Sequence, residues 1–326
     1  MSPVRVAVDA MGGDRGPDEV VAGALAAAAD GIVPILYGDA SLAAHGLEHV
    51  VTTQVIAMDE KPAEAVRAKP ESSLVAACRS IGAGTADAVV SAGNTGAMLA
   101  AGLLEIRRLE GVMRPAIAVP ILARDGPSVL LDCGANADAR PEHLLQFAHM
   151  GAIFAEEILG VPSPEVRLLS IGEEPEKGNQ LTLEAHKLLA ESTLNFAGNT
   201  ESRNLLAKAA DVVVTDGFTG NVALKALEGT VLTVLQGLRG EITKTALGKL
   251  GGALIRPATR RLLTRLDPET YGGAYLLGLR GLAVIAHGNS SRTAIANAIR
   301  LAARGVEHDV CGRLSARLPE RAESAV

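Results

Sequence analysis

Aromatic residues are scarce in this sequence: they make up 2% of 326 residues, with three Tyr, four Phe and no Trp. Proteins that bind single-stranded nucleic acids stack the bases on aromatic side chains, so this composition counts against that class. The formal net charge of −6 points the same way, because nucleic-acid-binding surfaces are basic. We therefore expect no nucleic-acid partner, and a core built from Ala, Val, Leu and Ile.

Long apolar runs and paired cysteines are also missing. A membrane-spanning helix needs about 18 apolar residues or more, and the run Ala116–Ala123 has eight. The sequence opens without the charged, apolar and small-residue regions of a secretory signal, so we expect a cytoplasmic protein. Cys78, Cys133 and Cys311 show no C-x-x-C spacing, which indicates free thiols rather than disulfides or a zinc site.

Glycine and short aliphatic runs are abundant. Nine runs rich in Val, Ile and Leu, from Val4–Val8 to Ala283–Ala286, are typical of buried strands and mostly alternate with helix-like stretches such as Pro17–Ala29. This alternation predicts an α/β fold with three α/β/α layers around a mainly parallel sheet. No linker or repeat interrupts the pattern, so we expect a single domain over residues 1–326.

Polar, glycine-containing loops follow five of the predicted strands. In parallel α/β sheets, ligands bind beyond the carboxyl ends of the strands. Glycine lets the backbone approach a ligand, Asn, Ser and Thr add neutral donors, and a following helix N-terminus favours an anion. One such loop alone is more often a turn, but five in one chain predict a shared pocket with a phosphate-like occupant. The loops span residues 9–14, 91–96, 132–136, 215–221 and 286–291.

Several residues in these loops allow two interpretations. Asp132 could cap a helix or turn and Asp216 could form an Asx turn, or either could be catalytic. His287 could transfer protons or bind a ligand, or it could be structural. Lys225 lies about one helical turn beyond Asn221, from where it could reach the same anion or remain solvated.

Sharper catalytic motifs are not present. No G-x-G-x-x-G follows a strand and no G-x-x-x-x-G-K-[ST] occurs, so the dinucleotide and nucleoside-triphosphate fingerprints are absent. The segment His45–His49 matches the zinc-protease pattern H-x-x-E-H, but Gly46 and the strand that follows argue against the helix it needs. Ser91, Asp132 and His287 could form a triad, but no G-x-S-x-G elbow supports it. We expect neither a metal nor a cofactor.

A basic segment stands out in an otherwise acidic chain. Between Arg239 and Arg265, seven Lys and Arg residues accompany one acidic residue, Glu241. Leucines repeat on one face and basic residues on the other, and Pro257 should break or kink the helix. We expect residues 239–268 to project as a basic amphipathic helical segment that docks an anionic membrane surface or an acidic protein, unless it is an ordinary surface helix. The docking candidates are Lys249, Arg256, Arg260, Arg261 and Arg265.

Six segments along the chain form a specific set of motifs: Val6–Asp14, Ser91–Ala97, Asp132–Asn136, Lys177–Asn179, Val214–Asn221 and Tyr271–Ala274. In this order they resemble the motifs of the PlsX-type phosphate acyltransferases, from the first strand to about Arg300. The resemblance implies an enzyme that converts acyl-acyl carrier protein and inorganic phosphate into acyl phosphate and free carrier protein, at the start of bacterial phospholipid synthesis. It also implies a fold like that of phosphotransacetylases and isopropylmalate dehydrogenases.

Partners follow from the same resemblance. It implies a homodimer that associates peripherally with the inner face of the cell membrane and supplies a downstream membrane glycerol-3-phosphate acyltransferase. Three residues depart from the family pattern, in the carrier-protein contacts and in the His287 loop: Ser202, Tyr275 and Asn289.

Phosphate is itself the nucleophile in this reaction and the carrier thiolate leaves well, so no enzyme nucleophile is required. The enzyme must hold phosphate in line with the thioester and stabilise the tetrahedral oxyanion. We assign Asp216 and Asn221 to orienting phosphate, Lys225 to neutralising its charge, and His287 to protonating the departing sulfur. Four residues are expected to cradle phosphate or the oxyanion: Gly93, Asn94, Thr95 and Gly96. Further substrate contacts are expected at Asp9, Gly12, Gly13, Ser91, Asp132, Asn136, Lys177, Asn179 and Gly217.

Other functions remain open at this point. The closest is a phosphotransacetylase that uses acyl-coenzyme A instead of a carrier protein. A different class would be a non-catalytic scaffold that binds acyl carrier protein at the membrane surface. A decarboxylating dehydrogenase of the same fold is disfavoured, because the nucleotide fingerprint is absent.

Overall fold

One mixed sheet organises the computed structural model, which describes residues 2–123, 126–266 and 268–318. The strands within these residues are β1 (Arg5–Asp9), β2 (Val33–Gly38), β3 (Glu48–Val51), β4 (Ala88–Ser91), β5 (Ala116–Ala123), β6 (Gly126–Leu131), β7 (Val166–Ser170), β8 (Phe196–Glu201), β9 (Val212–Val214), β10 (Ala274–Leu277) and β11 (Leu282–Ile285). Their order across the sheet is β3-β2-β1-β4-β11-β10-β5-β6-β9-β7-β8. Seven of these ten strand pairs are parallel, so the predicted mainly parallel sheet is confirmed.

Helices cover both faces of the sheet. They are α1 (Pro17–Ala28), α2 (Pro62–Ala68), α3 (Ser73–Gly82), α4 (Thr95–Ala101), α5 (Pro141–Phe154), α6 (Gln180–Ala190), α7 (Gly217–Thr243), α8 (Ala246–Leu266), α9 (Arg292–Glu307) and α10 (Val310–Arg317). Two buried clusters, dominated by Ala, Val, Leu and Ile, lie on opposite faces of the sheet. The predicted three-layer α/β/α fold is therefore confirmed. The three cysteines are free thiols, as expected.

The pairing of β10 and β6 along β5 brings the carboxyl ends of two halves of the sheet together, and these ends border one cleft. Strands β1 to β4 and β11 run in one direction, and β6, β9, β7 and β8 run in the other. The two halves are offset along β5, because β10 pairs with its first residues up to Ala118, whereas β6 pairs from Ala118 onward. The last residue of β6, Leu131, pairs with Ala118, and the last residue of β11, Ile285, pairs with Ala274 at the start of β10. The carboxyl ends of both halves therefore meet beside the middle of β5.

Alternation along β10 separates a core residue from the cleft. Ala274 belongs to the buried cluster on the cleft side of the sheet, whereas Tyr275 belongs to the cluster on the opposite side. The Tyr275 ring packs edge-on against Phe154, with the ring centroids 5.0 Å apart. This departure from the family pattern therefore fills the core and does not line the cleft.

Several predicted boundaries differ from the structure. Strand β3 occupies Glu48–Val51 instead of Val50–Ile56. The sequence prediction omits β8, β10 and helix α2. Strand β8 is an edge strand with a polar Gly198-Asn199 pair, whereas the omitted β10 is an apolar run as long as the predicted β4 and β11. The zinc-protease pattern fails as expected, since His45 ends a 3-10 turn and Glu48 and His49 lie in β3.

Helices α7 and α8 form a hairpin that extends from the sheet. Helix α8 packs against α7. The sequence predicts a break or a kink at Pro257, and of these two the break is wrong, because α8 continues through Pro257. A proline removes one backbone N–H donor, so the helix loses one hydrogen bond at that position. The turns on both sides of Pro257 are helical. Among the described residues, no helix is both long and apolar enough to cross a membrane.

Candidate active site

A cleft of about 840 Å³ opens where the two halves of the sheet meet. Its walls come from the loops after β4, β6 and β11, from the cleft face of β5, and from α7 between Asn221 and Leu235. Of the residues predicted to contact substrate, six line it: Gly93, Thr95, Gly96, Asn221, Lys225 and His287. The polar loops occupy one end of the cleft and apolar side chains occupy the rest.

Asp9 ties three elements together behind the cleft. It is buried, and its carboxylate accepts hydrogen bonds from Ser73 Oγ at 2.6 Å and from Ser91 Oγ at 2.7 Å. Burial raises the pKa of Asp9, and the bonds from the two serines oppose that rise. Ser91 Oγ in turn accepts from the Gly93 amide at 3.0 Å. Asp9 and Ser91 therefore hold the loop that follows β4 and do not themselves line the cleft.

Close backbone approach explains the glycine at position 12. A Cβ atom there would lie 2.5 Å from Asp9 Oδ2 and 2.9 Å from the Gly93 amide nitrogen. Gly13 continues the same loop, and the next residue, Asp14, donates its amide to Gly288 O at 2.6 Å. The loops after β1, β4 and β11 are thus bound to one another at the back of the polar end.

The side chain of Asn94 is engaged by the protein. Its Oδ1 caps α4 by accepting from the Ala97 amide at 3.0 Å, and its Nδ2 donates to the carbonyls of Met58 and Glu60 at 3.0 and 3.1 Å. The residues of this segment that reach the cleft are Gly93, before the cap, and Thr95 and Gly96, at the first turn of α4. The predicted side-chain donor is therefore an N-cap, and the start of the helix is what faces the cleft.

Asp132 is the centre of a second buried cluster. Its Oδ1 accepts from the Ile117 and Ala135 amides at 2.9 and 3.1 Å, and its Oδ2 accepts from Asn136 N and Nδ2, both at 2.8 Å. Burial raises the pKa of Asp132, against the effect of these hydrogen bonds. Asp132 and Asn136 therefore shape the 132–136 loop, and Cys133 and Gly134 are the residues of it that line the cleft.

The same loop receives the N-terminus of α7 at short distance. Asp216 caps the helix by accepting from the Thr219 amide at 2.8 Å. A Cβ atom on Gly217 would lie 2.7 Å from Asn136 N, and one on Gly220 would lie 2.0 Å from Asp132 O. Only glycine allows this packing, which sets the start of α7 against the end of β6.

A cation, a carboxylate and an imidazole form a cluster across the cleft. Lys225 Nζ lies 2.8 Å from Glu228 Oε2, and His287 Nε2 lies 3.3 Å from Glu228 Oε1. Burial disfavours the charged form of Glu228, but the hydrogen bonds from His287 and Lys225 outweigh it and hold the pKa of Glu228 below its ordinary value. Glu228 lies outside the loop motifs that predict the site, although its position one helical turn beyond Lys225 was a usable signal.

Lys177 and Asn179 lie away from the cleft. Both follow β7, which is separated from β6 by β9. Asn179 caps α6 by accepting from the Thr182 amide at 2.9 Å, and the Lys177 side chain is exposed. The structure does not bring these two predicted residues together with the others.

Further lining residues come from the segment before β10 and from the turn after β11. Tyr271, Gly272 and Gly273 contribute to the wall, as the unassigned Tyr271–Ala274 motif could have signalled. Ser290 also lines the cleft, and its hydroxyl is buried with no hydrogen-bond partner among the described residues. It is available to a ligand.

Two nucleophile-based alternatives do not fit this geometry. Ser91 Oγ donates to Asp9 and Asp132 is enclosed by its own loop, so no triad forms with His287. Cys133 lines the cleft, but burial raises the pKa of its thiol well above the ordinary value. A thiol in that state is a poor nucleophile.

A fold of this kind, with glycine loops and helix N-termini facing a partly apolar cleft, defines an α/β enzyme for a substrate that joins an anion to an apolar group. Residues 4–313 match the family model described as fatty acid synthesis protein. The chain is 45% identical over 332 residues to the phosphate acyltransferase of Heliobacterium modesticaldum, covering 98% of this chain and 99% of that protein. It is 47% identical over 313 residues to the phosphate acyltransferase of Moorella thermoacetica, covering 93% and 92%. The chain belongs to the phosphate acyltransferase family, and the predicted family and enzyme class are confirmed.

Solved structures agree on the fold. A phosphotransacetylase from Streptococcus pyogenes superimposes with a TM-score of 0.62 at 17% sequence identity, over 94% of each chain. The expected likeness to the phosphotransacetylase fold is therefore confirmed.

Proposed function

We propose that this enzyme transfers the acyl group of a long-chain acyl-acyl carrier protein to inorganic phosphate, giving acyl phosphate and free carrier protein for phospholipid synthesis. Family membership supports the reaction class. The observation that carries the proposal is the composition of the cleft, in which anion-binding groups lie at one end of an apolar channel. Acyl phosphate has that same division between a charged head and an apolar chain.

Phosphate binding is proposed at the polar end. The first turn of α4 faces this end with its backbone amides and the positive end of its helix dipole, which favours an anion. In the first turn of α7, the amides of Gly217, Thr219 and Gly220 are bonded within the protein, so α7 contributes the side chain of Asn221 instead. Thr95, Gly96 and Asn221 line this end, and Lys225 adds a positive charge. Ser290 supplies a further hydroxyl donor.

The proposed chemistry is direct attack by phosphate. An oxygen of HPO₄²⁻ forms a bond to the thioester carbonyl carbon, and the tetrahedral intermediate then breaks its carbon–sulfur bond. The proton lost by phosphate ends on the departing sulfur, so the products are acyl phosphate dianion and the carrier thiol. His287 is proposed to relay this proton. Donors at the helix starts stabilise the oxyanion, and removing one such donor typically costs about 100- to 1,000-fold in kcat.

Glu228 is proposed as a positioning residue for that relay. Its two oxygens contact Lys225 and His287, so one carboxylate fixes both groups relative to the cleft. With Nε2 of His287 directed at Glu228, Nδ1 is the nitrogen left to exchange a proton with substrate.

The α7–α8 hairpin is proposed to dock the anionic inner face of the cell membrane. Leu247, Leu250 and Leu254 are 79%, 62% and 77% exposed. Four basic side chains accompany them on α8: Lys249, Arg256, Arg260 and Arg261. Arg256, Arg260 and Arg261 line a concavity of about 550 Å³ that suits an anionic group. The side chain of the fifth candidate, Arg265, lies outside the described residues. Exposed leucines beside arginines are typical of helices that lie in a membrane interface.

Membrane docking gives the product a destination. An acyl phosphate released at the lipid surface could pass to a membrane glycerol-3-phosphate acyltransferase without crossing water.

We also propose that the enzyme acts as a cytoplasmic homodimer, following the family resemblance. Light scattering on the purified protein would test this oligomeric state.

Trapping the product tests the reaction. Purified protein is incubated with hexadecanoyl-acyl carrier protein, with and without inorganic phosphate, and acyl phosphate is captured by hydroxylamine. We expect phosphate-dependent hydroxamate. A clear preference for acyl-coenzyme A over the carrier substrate would support the phosphotransacetylase alternative. Carrier binding without product from either substrate would support the scaffold.

A further inference from the structure

We propose that the apolar part of the cleft, between β5 and α7, is the binding groove for the acyl chain and sets which chain lengths the enzyme accepts. This inference rests on the proposed function and assigns the second half of the same cleft. We call this part the acyl groove. Its walls are Ile117, Val119, Pro120 and Ile121 of β5, Leu224, Leu227, Val231, Leu232 and Leu235 of α7, and Leu206.

The β5 wall is one face of a strand. Ile117, Val119 and Ile121 alternate along β5 and therefore project to the same side of the sheet. They belong to, or pack against, the buried cluster on the cleft side. No charged side chain interrupts this wall within the described residues of β5.

The α7 wall is one stripe of a helix. Leu224, Leu227, Val231 and Leu235 recur at spacings of three and four residues, so they share a face. All four are half-buried, whereas Val222, on the opposite face, is 53% exposed. An apolar stripe that faces an open space beside β5 leaves apolar surface in water, which a bound alkyl chain would cover.

Charge is confined to one end of the acyl groove. Lys225 and Glu228, in the third and fourth turns of α7, cluster with His287 from the loop after β11. Beyond Glu228, the cleft-lining residues of α7 are all apolar. A ligand that fills the whole cleft must therefore carry its anionic or reacting group at one end and an alkyl chain at the other.

The length of the stripe sets a scale. From Leu224 to Leu235 the helix rises about 16 Å. An extended chain advances about 1.2 Å per bond, so the acyl groove accommodates a chain of about a dozen carbons. Further along α7, Leu238 is exposed, and the exposed leucines of α8 follow in the chain. Longer chains would emerge toward the surface proposed to meet lipid.

Tryptophan substitutions at three depths test this assignment. The variants Leu227→Trp, Val231→Trp and Leu235→Trp fill the acyl groove progressively farther from the charged end. Each is assayed with butanoyl-, octanoyl-, dodecanoyl- and hexadecanoyl-acyl carrier protein, and Val222→Trp, on the opposite face of α7, is the matched control. Each buried methylene contributes about a fourfold gain. Loss of the contacts to about three or four methylenes in Leu227→Trp should therefore lower the ratio of kcat/KM for hexadecanoyl over butanoyl substrate on the order of 100-fold. Val222→Trp should change that ratio less than about twofold.

The longest accepted chain should shorten in the order Leu235→Trp, Val231→Trp, Leu227→Trp, with butanoyl turnover retained. Equal loss for butanoyl and hexadecanoyl substrates, in variants that melt like the parent protein, would overturn the assignment. So would full hexadecanoyl activity in Leu227→Trp.

Binding of unreactive alkyl phosphates separates the acyl groove from the reaction. Calorimetry with butyl, octyl and dodecyl phosphate should show affinity for the parent protein that rises with chain length, and a smaller rise in Leu227→Trp. Affinity that is independent of chain length would overturn the acyl groove. Chain-dependent binding without acyl phosphate formation from any carrier substrate would uphold the acyl groove and overturn the proposed function.

Discussion

The polar end of the cleft and the α7–α8 hairpin are built in opposite ways. At the polar end, buried carboxylates such as Asp9 and Asp132 bind neighbouring loops through several hydrogen bonds each. On the hairpin, large apolar side chains such as Leu247 and Leu254 are more than three-quarters exposed. The first region holds donors in fixed positions, as transition-state stabilisation requires. The second leaves apolar surface for a partner to cover.

Helix α7 connects the two regions and carries a part of each. Its start is fixed against Asp132 and Asn136 by Gly217 and Gly220. Its middle faces the acyl groove, and its end belongs to the exposed hairpin. Substitutions near the start of α7 should therefore damage the site, whereas substitutions near its end should leave the site intact.

The largest effect is expected from Gly220→Ala. The new Cβ would lie 2.0 Å from Asp132 O, so the start of α7 must move. We expect a loss of about 1–3 kcal/mol in the free energy of unfolding and a fall in kcat of about 100-fold or more, because small displacements of catalytic groups are costly. Urea denaturation and the hydroxamate assay measure the two effects.

The matched control for that change is Gly229→Ala on the same helix, where a Cβ meets nothing within 4 Å. Replacing this helical glycine should stabilise the protein by up to about 1 kcal/mol and leave kcat unchanged. Equal behaviour of the two variants would contradict the close packing of the α7 start.

A smaller effect, confined to activity, is expected from Lys225→Met. The side chain is half exposed, so stability should change by less than about 0.5 kcal/mol. Loss of its charge beside phosphate should lower kcat/KM about 100-fold. Lys244→Met, in the exposed hairpin, should stay within about twofold of the parent enzyme. Normal phosphate kinetics in Lys225→Met would remove this residue from the site.

Glu228→Gln should have an intermediate effect with a pH signature. Loss of the carboxylate that holds Lys225 and His287 should reduce kcat/KM about tenfold. The pKa of Glu228 is lowered in the folded protein. Its charged form therefore stabilises the fold above its ordinary pKa of about 4.3, and this contribution is lost as pH falls through the lower folded value. The stability difference between parent and variant should be present at pH 7 and shrink below about pH 4. A difference that grows on acidification would contradict the ion cluster.

The smallest effect on catalysis is expected from Leu254→Glu in the hairpin. The residue is exposed, so the free energy of unfolding should change by less than about 0.5 kcal/mol. Turnover of soluble substrate should change less than about twofold. Binding to vesicles of anionic lipid should fall on the order of tenfold, because an apolar contact is replaced by a negative charge. Flotation with anionic and neutral vesicles measures this. Unchanged binding to anionic vesicles would show that the hairpin is not the docking surface.

Much of the fold could be predicted from sequence, because buried parallel strands give continuous aliphatic runs. Helix α1 was predictable too, because its start at Pro17 agrees with the helix-like stretch Pro17–Ala29. The edge strand β8, with its polar Gly198-Asn199 pair, gives no such run, whereas β10 gives one that the prediction omits. The offset along β5 could not be foreseen either, because register depends on pairing between distant segments.

The loops of the site were predictable, but the roles of their residues were less so. Strand ends followed by Gly and Asn located Gly93, Gly96 and His287 correctly at one cleft. Whether a polar side chain faces the ligand or the protein depends on its hydrogen bonds, and Asn94 and Asp216 cap helices. Glu228 and the acyl groove lie on α7 beyond the loop motifs, so a search confined to strand ends passes over them.

Direct attack by phosphate at the polar end is the central claim, and carrier release without phosphate tests it most directly. The enzyme is mixed with a stoichiometric amount of hexadecanoyl-acyl carrier protein, first without and then with inorganic phosphate, while free carrier and the intact mass of the enzyme are followed. We expect carrier release only after phosphate is added, with the enzyme mass unchanged throughout. Stoichiometric release before phosphate is added, together with an enzyme heavier by one acyl group, would contradict the account.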